Sequence, residues 1–198
     1  MAAARLTVQD RGYNGLSFRE LAKDVGIKSA SIHHYFPTKG ELGGALAERY
    51  TTDFAEYLDG LLAEGLDQPT CIRKYTDVFR NTLLNENRMC LAGIMAAEHK
   101  ELPAEVRVEV VKFGEMNVRW LAQVLSPGAS TPADARAIER RALAIFAAIE
   151  GAQLVSRSRS DISAYDEIVE GYRTAGLLPL GTGGLASGAS TSSASAAT

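Results

Sequence analysis

Few of the reactive side chains in this sequence are spaced so that they could act on one another. His33 and His34 are adjacent, so on a helix they diverge by about 100° and cannot share a metal with the usual i, i+4 geometry. Cys71 and Cys90 are too few and too isolated for a disulfide framework or a Cys-rich zinc site, and they suit a reducing, cytoplasmic compartment. No paired carboxylates, Ser/His/Asp set or metal-ligand spacing stands out, so no catalytic residue, metal ligand or cofactor is assigned and an enzyme is not expected. Gly181-Thr182-Gly183-Gly184 is glycine-rich, but it follows no strand and opens no helix, which denies it the geometry of a phosphate loop. What remains is a group of hydrogen-bonding side chains between Ser17 and Lys39, set around closely spaced helix boundaries.

Those boundaries can be read from capping chemistry. Ser17-Phe18-Arg19-Glu20 has the form of a capping box and predicts a helix start, with Leu21, Ala22 and Val25 as its apolar face. Gly26 permits a tight turn, Ile27 is expected to pack beneath it, and a second short helix should run from about Lys28 to Tyr35. Pro37 ends that helix, and Thr38-Lys39-Gly40-Glu41 forms a second capping box that opens a long helix beginning with Leu42. This is helix-turn-helix spacing. Leu21, Val25, Ile32 and Phe36 are expected in its core rather than at its surface.

The rest of the chain sets these helices on a larger helical body. With 198 residues and 46% hydrophobic content, it can bury a substantial core without disulfides or metal. The net charge of −3 argues against indiscriminate coating of nucleic acid. Up to Tyr50, however, seven basic residues face five acidic ones, whereas the remainder carries 14 against 19. A mildly basic head on an acidic body suits contact with phosphates at one end. Charged residues interrupt every hydrophobic run, so no membrane span or membrane partner is expected. Breakers at 12–15, Gly26, Pro37, 67–69, Pro103, 126–132 and 176–179 cut the sequence into about nine helices, with no convincing strand, and the fold class is all-α. From Pro179 the uncharged Gly, Ser, Ala and Thr composition predicts disorder.

Three blocks, Gly12-Tyr13-Asn14-Gly15-Leu16-Ser17-Phe18-Arg19-Glu20-Leu21-Ala22, Val25-Gly26-Ile27 and Ser31-Ile32-His33-His34-Tyr35-Phe36-Pro37-Thr38-Lys39-Gly40-Glu41-Leu42, together resemble the DNA-binding module of the TetR family. The resemblance implies a recognition helix over Lys28 to Tyr35. Lys28, Ser29, Ser31, His33 and His34 would then face base edges in the major groove of a double-stranded operator. It also implies that Lys39 meets a phosphate at the start of the fourth helix and that Ser17 and Arg19 touch the DNA backbone. Tyr35 can pack its ring while its hydroxyl donates to phosphate. Against the family pattern, the first helix looks shortened, with Ala3-Ala4 already at the place of its paired alanines, and Thr7 stands where an apolar residue is usual. The expectation is either a start upstream of Met1 or a less stable head.

In the body, Leu42, Leu46, Tyr50, Phe54, Tyr57, Leu58 and Leu61 form a stripe suited to a helix linking head and body. Ile138, Ala142, Ile145, Ile149 and Ala152 form one apolar face of a later helix, with Leu143, Phe146 and Leu154 on a neighbouring face. The last helix carries Tyr165, Ile168, Val169 and Tyr172. By the resemblance these two helices pair with their copies in a homodimer; a purely intramolecular core would use the same faces. The block from Met89 to Glu98, followed by Leu102-Pro103, Phe113, Asn117 and Trp120, resembles one that walls the effector pocket in several subgroups of the family. Met89, Phe113, Met116 and Trp120 would supply apolar surface and Asn117 or His99 the orientation. Cys90 is a candidate electrophile-sensing thiol by the same resemblance, set against the reading of an inert buried cysteine. The expected organisation is 1–45 as the DNA-reading head, 46–178 as the ligand-binding and dimerisation body, and 179–198 as a tail. The expected function is a repressor of a near-palindromic operator, released by an unidentified small molecule. A constitutive dimeric DNA-binding protein would use the same elements.

Overall fold

The computed structural model describes residues 1–126 and 131–180, which form nine helices and no strand. In chain order they are α1 (Ala2–Arg11), α2 (Phe18–Asp24), α3 (Ser29–Tyr35), α4 (Lys39–Ala63), α5 (Gln68–Leu84), α6 (Leu91–Ala97), α7 (Ala104–Leu125), α8 (Pro132–Arg159) and α9 (Ile162–Thr174). The all-α expectation holds. Most of the predicted tail lies outside the described residues, as do 127–130 in the break before α8.

Side-chain caps start most of these helices. The Thr38 box before α4 is complete: the Glu41 amide donates to Thr38 Oγ1 at 3.1 Å and the Thr38 amide to Glu41 Oε2 at 3.3 Å. Asp67 Oδ1 accepts the Thr70 amide at 2.9 Å to open α5, and Thr131 and Asp134 make a second reciprocal box at α8. The Ser17 box is only half made. Ser17 Oγ accepts the Glu20 amide at 3.5 Å, while the Glu20 carboxylate turns to Arg19 at 3.7 Å instead of reaching back.

The core runs along α4, whose Leu42, Leu46, Tyr50, Phe54, Leu58 and Leu61 are all buried. Tyr57, expected in the same stripe, is 42% exposed, because its step around the helix turns it outward. The α7 helix lies against this stripe: Phe113 stacks on Tyr50 and Phe54 with centroids 5.2 and 5.6 Å apart, and Trp120 Nε1 donates to the Leu58 carbonyl at 2.8 Å. The α8 helix buries Ala142, Ile145, Ile149 and Ala152 against this layer. The α9 helix is held on α5, with Tyr165 donating to the Thr76 carbonyl at 2.8 Å and Arg80 gripping both Asp166 oxygens at 2.7 and 2.8 Å.

Candidate nucleic-acid interface and body cavity

In the head, α2 and α3 are joined by a turn at Gly26, whose φ of +71° lies in the left-handed region. The Ile27 amide closes the turn onto the Ala22 carbonyl at 2.9 Å. Leu21, Ala22 and Ile32 are buried, and Ile32 alone anchors the inner side of α3. Val25 and Ile27 do not pack as expected: they are 46% and 49% exposed. Val25 caps α2 and Ile27 sits in the turn, where both edge an open groove beside Leu21, Ile32 and Phe36 and stay half exposed.

On its outer side α3 presents Lys28, Ser31, His34 and Tyr35, all exposed, with Tyr35 at 76%. Ser29 is half-buried in the first turn. His33 is exposed but leans edge-on against Phe18, centroids 4.4 Å apart, which ties the end of α3 to the start of α2. Ser17 and Arg19 stand at that same start, Ser17 half-buried and engaged as a cap, Arg19 projecting into solvent. Lys39 Nζ donates to the Asn14 carbonyl at 3.2 Å and lies 4.6 Å from the Tyr13 ring centroid. Desolvation lowers its pKa from the usual lysine range, with Glu98 opposing the shift. The expected interface residues thus gather around the α2 start, α3 and the α4 start. Between α1 and α2 a cleft of ≈ 290 Å³ opens, lined in part by Leu6, Thr7 and Leu21. Thr7 turns its hydroxyl to the Ala3 carbonyl at 3.0 Å and leaves the space unfilled.

The body holds a cavity of ≈ 280 Å³ between α6, α7 and α8, whose walls include Met89 and Gly93, Val110 and Phe113, and Phe146 and Glu150. Of the pocket residues expected from sequence, Met89 and Phe113 line it and the others do not. Asn117 is fully buried and spends both ends of its amide internally, accepting from Tyr75 Oη at 3.0 Å and donating to the Phe113 carbonyl at 2.8 Å. The Trp120 indole is committed to α4, Met116 packs against the core, and His99 is exposed in the turn after α6. Cys90 is buried behind the wall, 3.7 Å from Tyr50 Oη, and burial followed by the nearby Glu150 pushes its pKa well above the usual thiol range. Burial and the raised pKa both disfavour the thiolate, the nucleophilic form, in this conformation.

Sequence reasoning missed the polar groups that organise this region. Both Glu150 oxygens are buried and make no hydrogen bond of good geometry; desolvation raises the carboxyl pKa to about 7, while the Cys90 thiol, a weak donor set beside the carboxylate, pulls the other way. Gly93 provides its space, since a Cβ there would press directly on Glu150 Oε2 and lie 3.3 Å from Met89 Cε. Gln153, fully buried, accepts the Cys90 amide at 2.7 Å and donates to the Phe79 carbonyl at 2.9 Å. Gln9 of α1 donates to the Met89 carbonyl at 3.1 Å while the Met89 amide returns to the Gln9 carbonyl at 3.1 Å. Arg157 of α8 reaches the Gln9 and Asp10 carbonyls at 2.7 and 2.6 Å, capping the end of α1. The available signal for Glu150 was its isolation, for it is the sole charged residue between Arg141 and Arg157.

Residues 1–46 match the sequence family described as bacterial regulatory proteins, tetR family. A TetR transcriptional regulator of known structure from Legionella pneumophila is 30% identical and superposes with a TM-score of 0.81 over 88% of this chain and 93% of its own. The chain belongs to the TetR family. Among curated TetR-family relatives, the transcriptional regulator AcuR of Cereibacter sphaeroides is 30% identical over 118 residues, which are 58% of this chain and 54% of that protein. The HTH-type transcriptional repressor NemR of Escherichia coli strain K12 is 27% identical over 121 residues, 60% of this chain and 61% of its own. The matched stretch therefore spans just over half of the first relative's length and about three-fifths of the second's. TetR proteins are DNA-binding transcriptional regulators rather than enzymes, and this chain shares their all-helical architecture. No described helix is long and apolar enough to cross a membrane.

Proposed function

We propose that this TetR-family protein is a homodimeric repressor released from a near-palindromic operator by a small-molecule effector. Residues 1–45 read DNA and 46–178 carry the cavity and the dimer face. The observation that carries this reading is the reciprocal bridge between Gln9 and Met89: one residue belongs to the DNA-reading head, the other to the cavity wall. An effector that shifts Met89 must move the end of α1 or break two buried hydrogen bonds.

On the DNA side, Lys28, Ser31 and His34 offer donors and acceptors to the major groove, with Ser29 and His33 at the edges of that surface. Tyr35, Ser17, Arg19 and Lys39 contribute to the phosphate contacts that fix the register. Lys39 stands in the first turn of α4, where free amides and the helix dipole favour an anion. On the dimer side, α8 exposes an apolar stripe in which Leu143 and Leu154 are 56% and 54% exposed and Val155 is 40% exposed. Ala144 and Ala147 between them permit close approach of a second helix. NemR is named a repressor, which supports that sign of regulation here.

Regulation then follows from linkage. An effector that binds the conformation unable to grip DNA lowers operator affinity by the ratio of its affinities for the two states, and operator DNA weakens effector binding by the same factor. The test is selection of bound fragments from genomic DNA together with the oligomeric state in solution. An enriched inverted repeat, bound by a dimer that Leu143→Glu with Val155→Glu splits and releases from DNA, is expected. A monomer that binds the same sites without symmetry would overturn the dimeric reading, and a symmetric complex that no cavity ligand releases would leave a constitutive DNA-binding protein.

A further inference from the structure

The cavity between α6, α7 and α8 differs from an ordinary core void in one respect: an acidic side chain is part of its lining, and among the described residues only the weak thiol donor of Cys90 stands beside it. Among the described residues neither Glu150 oxygen makes a hydrogen bond of good geometry, the Cys90 thiol being a weak donor beside them, and no Lys, Arg or His lines the cavity. The rest of the lining is apolar, from Met89, Val110, Phe113 and Phe146. A buried carboxylate left this way is destabilising, and a folded protein tolerates it where something else completes the site. Gly93 is what allows the carboxylate to lie against α6, and at Gly114 a Cβ would meet only Phe146, at 3.5 Å, so α7 also leaves room. Ala96 and Ala97, both lining residues, are exposed at the cavity's rim, and Leu154 lies where the rim meets the proposed dimer face.

We propose that this cavity binds a small organic ammonium ion, its apolar body against Phe113 and Phe146 and its N–H groups donating to the Glu150 carboxylate, which turns from Gly93 and the Cys90 thiol to meet it. The chemistry selects this class in three steps. An anionic ligand would meet a like charge in a site with no cation to offset it. A neutral alcohol has one O–H to give and leaves the second oxygen bare. An ammonium group supplies both a compensating charge and several N–H donors, and charge-assisted hydrogen bonds are about twice as strong as neutral ones. The volume, ≈ 280 Å³, lies near the lower end of ligand pockets, so the body of the ligand is a ring or a short chain. As the effector of a repressor, this ligand rests on the function proposed above; as a binding site, it can be tested without DNA.

The experiment is calorimetric titration of the full chain at about pH 8 with cyclohexylamine and benzylamine, each beside the alcohol and the carboxylate of the same skeleton. At least one amine is expected to bind the wild type about tenfold or more tightly than its alcohol, and the carboxylates weakest of all. Glu150→Gln, nearly the same in shape, should bring the amine down to the alcohol's affinity while leaving the alcohol within about twofold. Gly114→Leu, which fills the cavity from α7, should abolish binding of both and controls for surface association. No preference for the amine in the wild type, a preference that survives in Glu150→Gln, or binding of neither amine would overturn the proposal. Operator binding, followed separately, distinguishes the two readings: a wild type that holds its operator but shows no amine preference loses this inference alone. An amine that binds at Glu150 without releasing DNA retains the site and loses the regulatory reading.

Discussion

Replacing Glu150 by Gln should change the stability of the protein by an amount that depends on pH. The Glu150 carboxyl pKa is raised from 4.5 to about 7 in the folded protein, chiefly by desolvation. A carboxyl with a raised pKa disfavours the folded state when ionised, so the penalty is fully present above about pH 7 and disappears as pH falls towards 4.5. At about 1.4 kcal/mol per pKa unit, the penalty is about 3 kcal/mol at pH 8 and under about 1 kcal/mol at pH 5. Glutamine cannot ionise, and its unpartnered buried amide adds a cost of about 1–3 kcal/mol that does not vary with pH. The stability of Glu150→Gln relative to wild type should therefore rise by about 2 to 3 kcal/mol between pH 5 and pH 8. Urea denaturation of both proteins at one fixed concentration measures it, the fixed concentration being needed because dimerisation shifts apparent stability. A relative stability that stays level between the two pH values would mean that Glu150 is hydrated or fully paired rather than an uncompensated buried carboxylate.

Other substitutions test separate links. Gln153→Ala leaves the buried Cys90 amide without its acceptor and should cost about 1–3 kcal/mol, measured by denaturant unfolding. Gly26→Ala places a Cβ on a residue with φ +71° and should destabilise the head by about 1 kcal/mol or more, read by hydrogen exchange in α2 and α3; there is open space at this position, so any loss comes from backbone conformation. The Cys90 thiol should react with iodoacetamide near pH 7 far more slowly than a free cysteine and become fully reactive in denaturant, followed by mass spectrometry.

The parts of the fold that were legible in the sequence are those fixed by local chemistry. The Thr38-x-x-Glu41 box forms as its spacing predicts, Gly26 takes the positive φ of the turn, and α3 ends before Pro37. Inward and outward sides of α3 were also readable, because Ile32 is its one strongly apolar residue between polar neighbours. Burial that depends on a distant partner was not. Val25 and Ile27 have the composition of core residues but no neighbour to cover them, and Asn117 looked available until Tyr75 and the Phe113 carbonyl were found to occupy it. The resemblance to the family pointed to the stretch beside the α6–α7–α8 cavity, which Met89 and Phe113 line. It could not indicate Glu150, whose importance comes from what is missing around it in three dimensions.

The central claim is that α3 reads bases while the start of α4 holds phosphate. It is tested most directly by measuring the affinity of wild type, His34→Ala and Lys39→Ala for the selected operator and for single-base variants of it, over a range of salt concentrations. His34→Ala should relax discrimination at one base pair per half-site by about 1–3 kcal/mol with the salt slope unchanged. Lys39→Ala, confirmed folded, should weaken binding to all sequences alike and lower the slope by about one unit per half-site. Unaltered base preference in His34→Ala together with Ser31→Ala and Lys28→Ala would contradict the assignment of α3 as the reading helix.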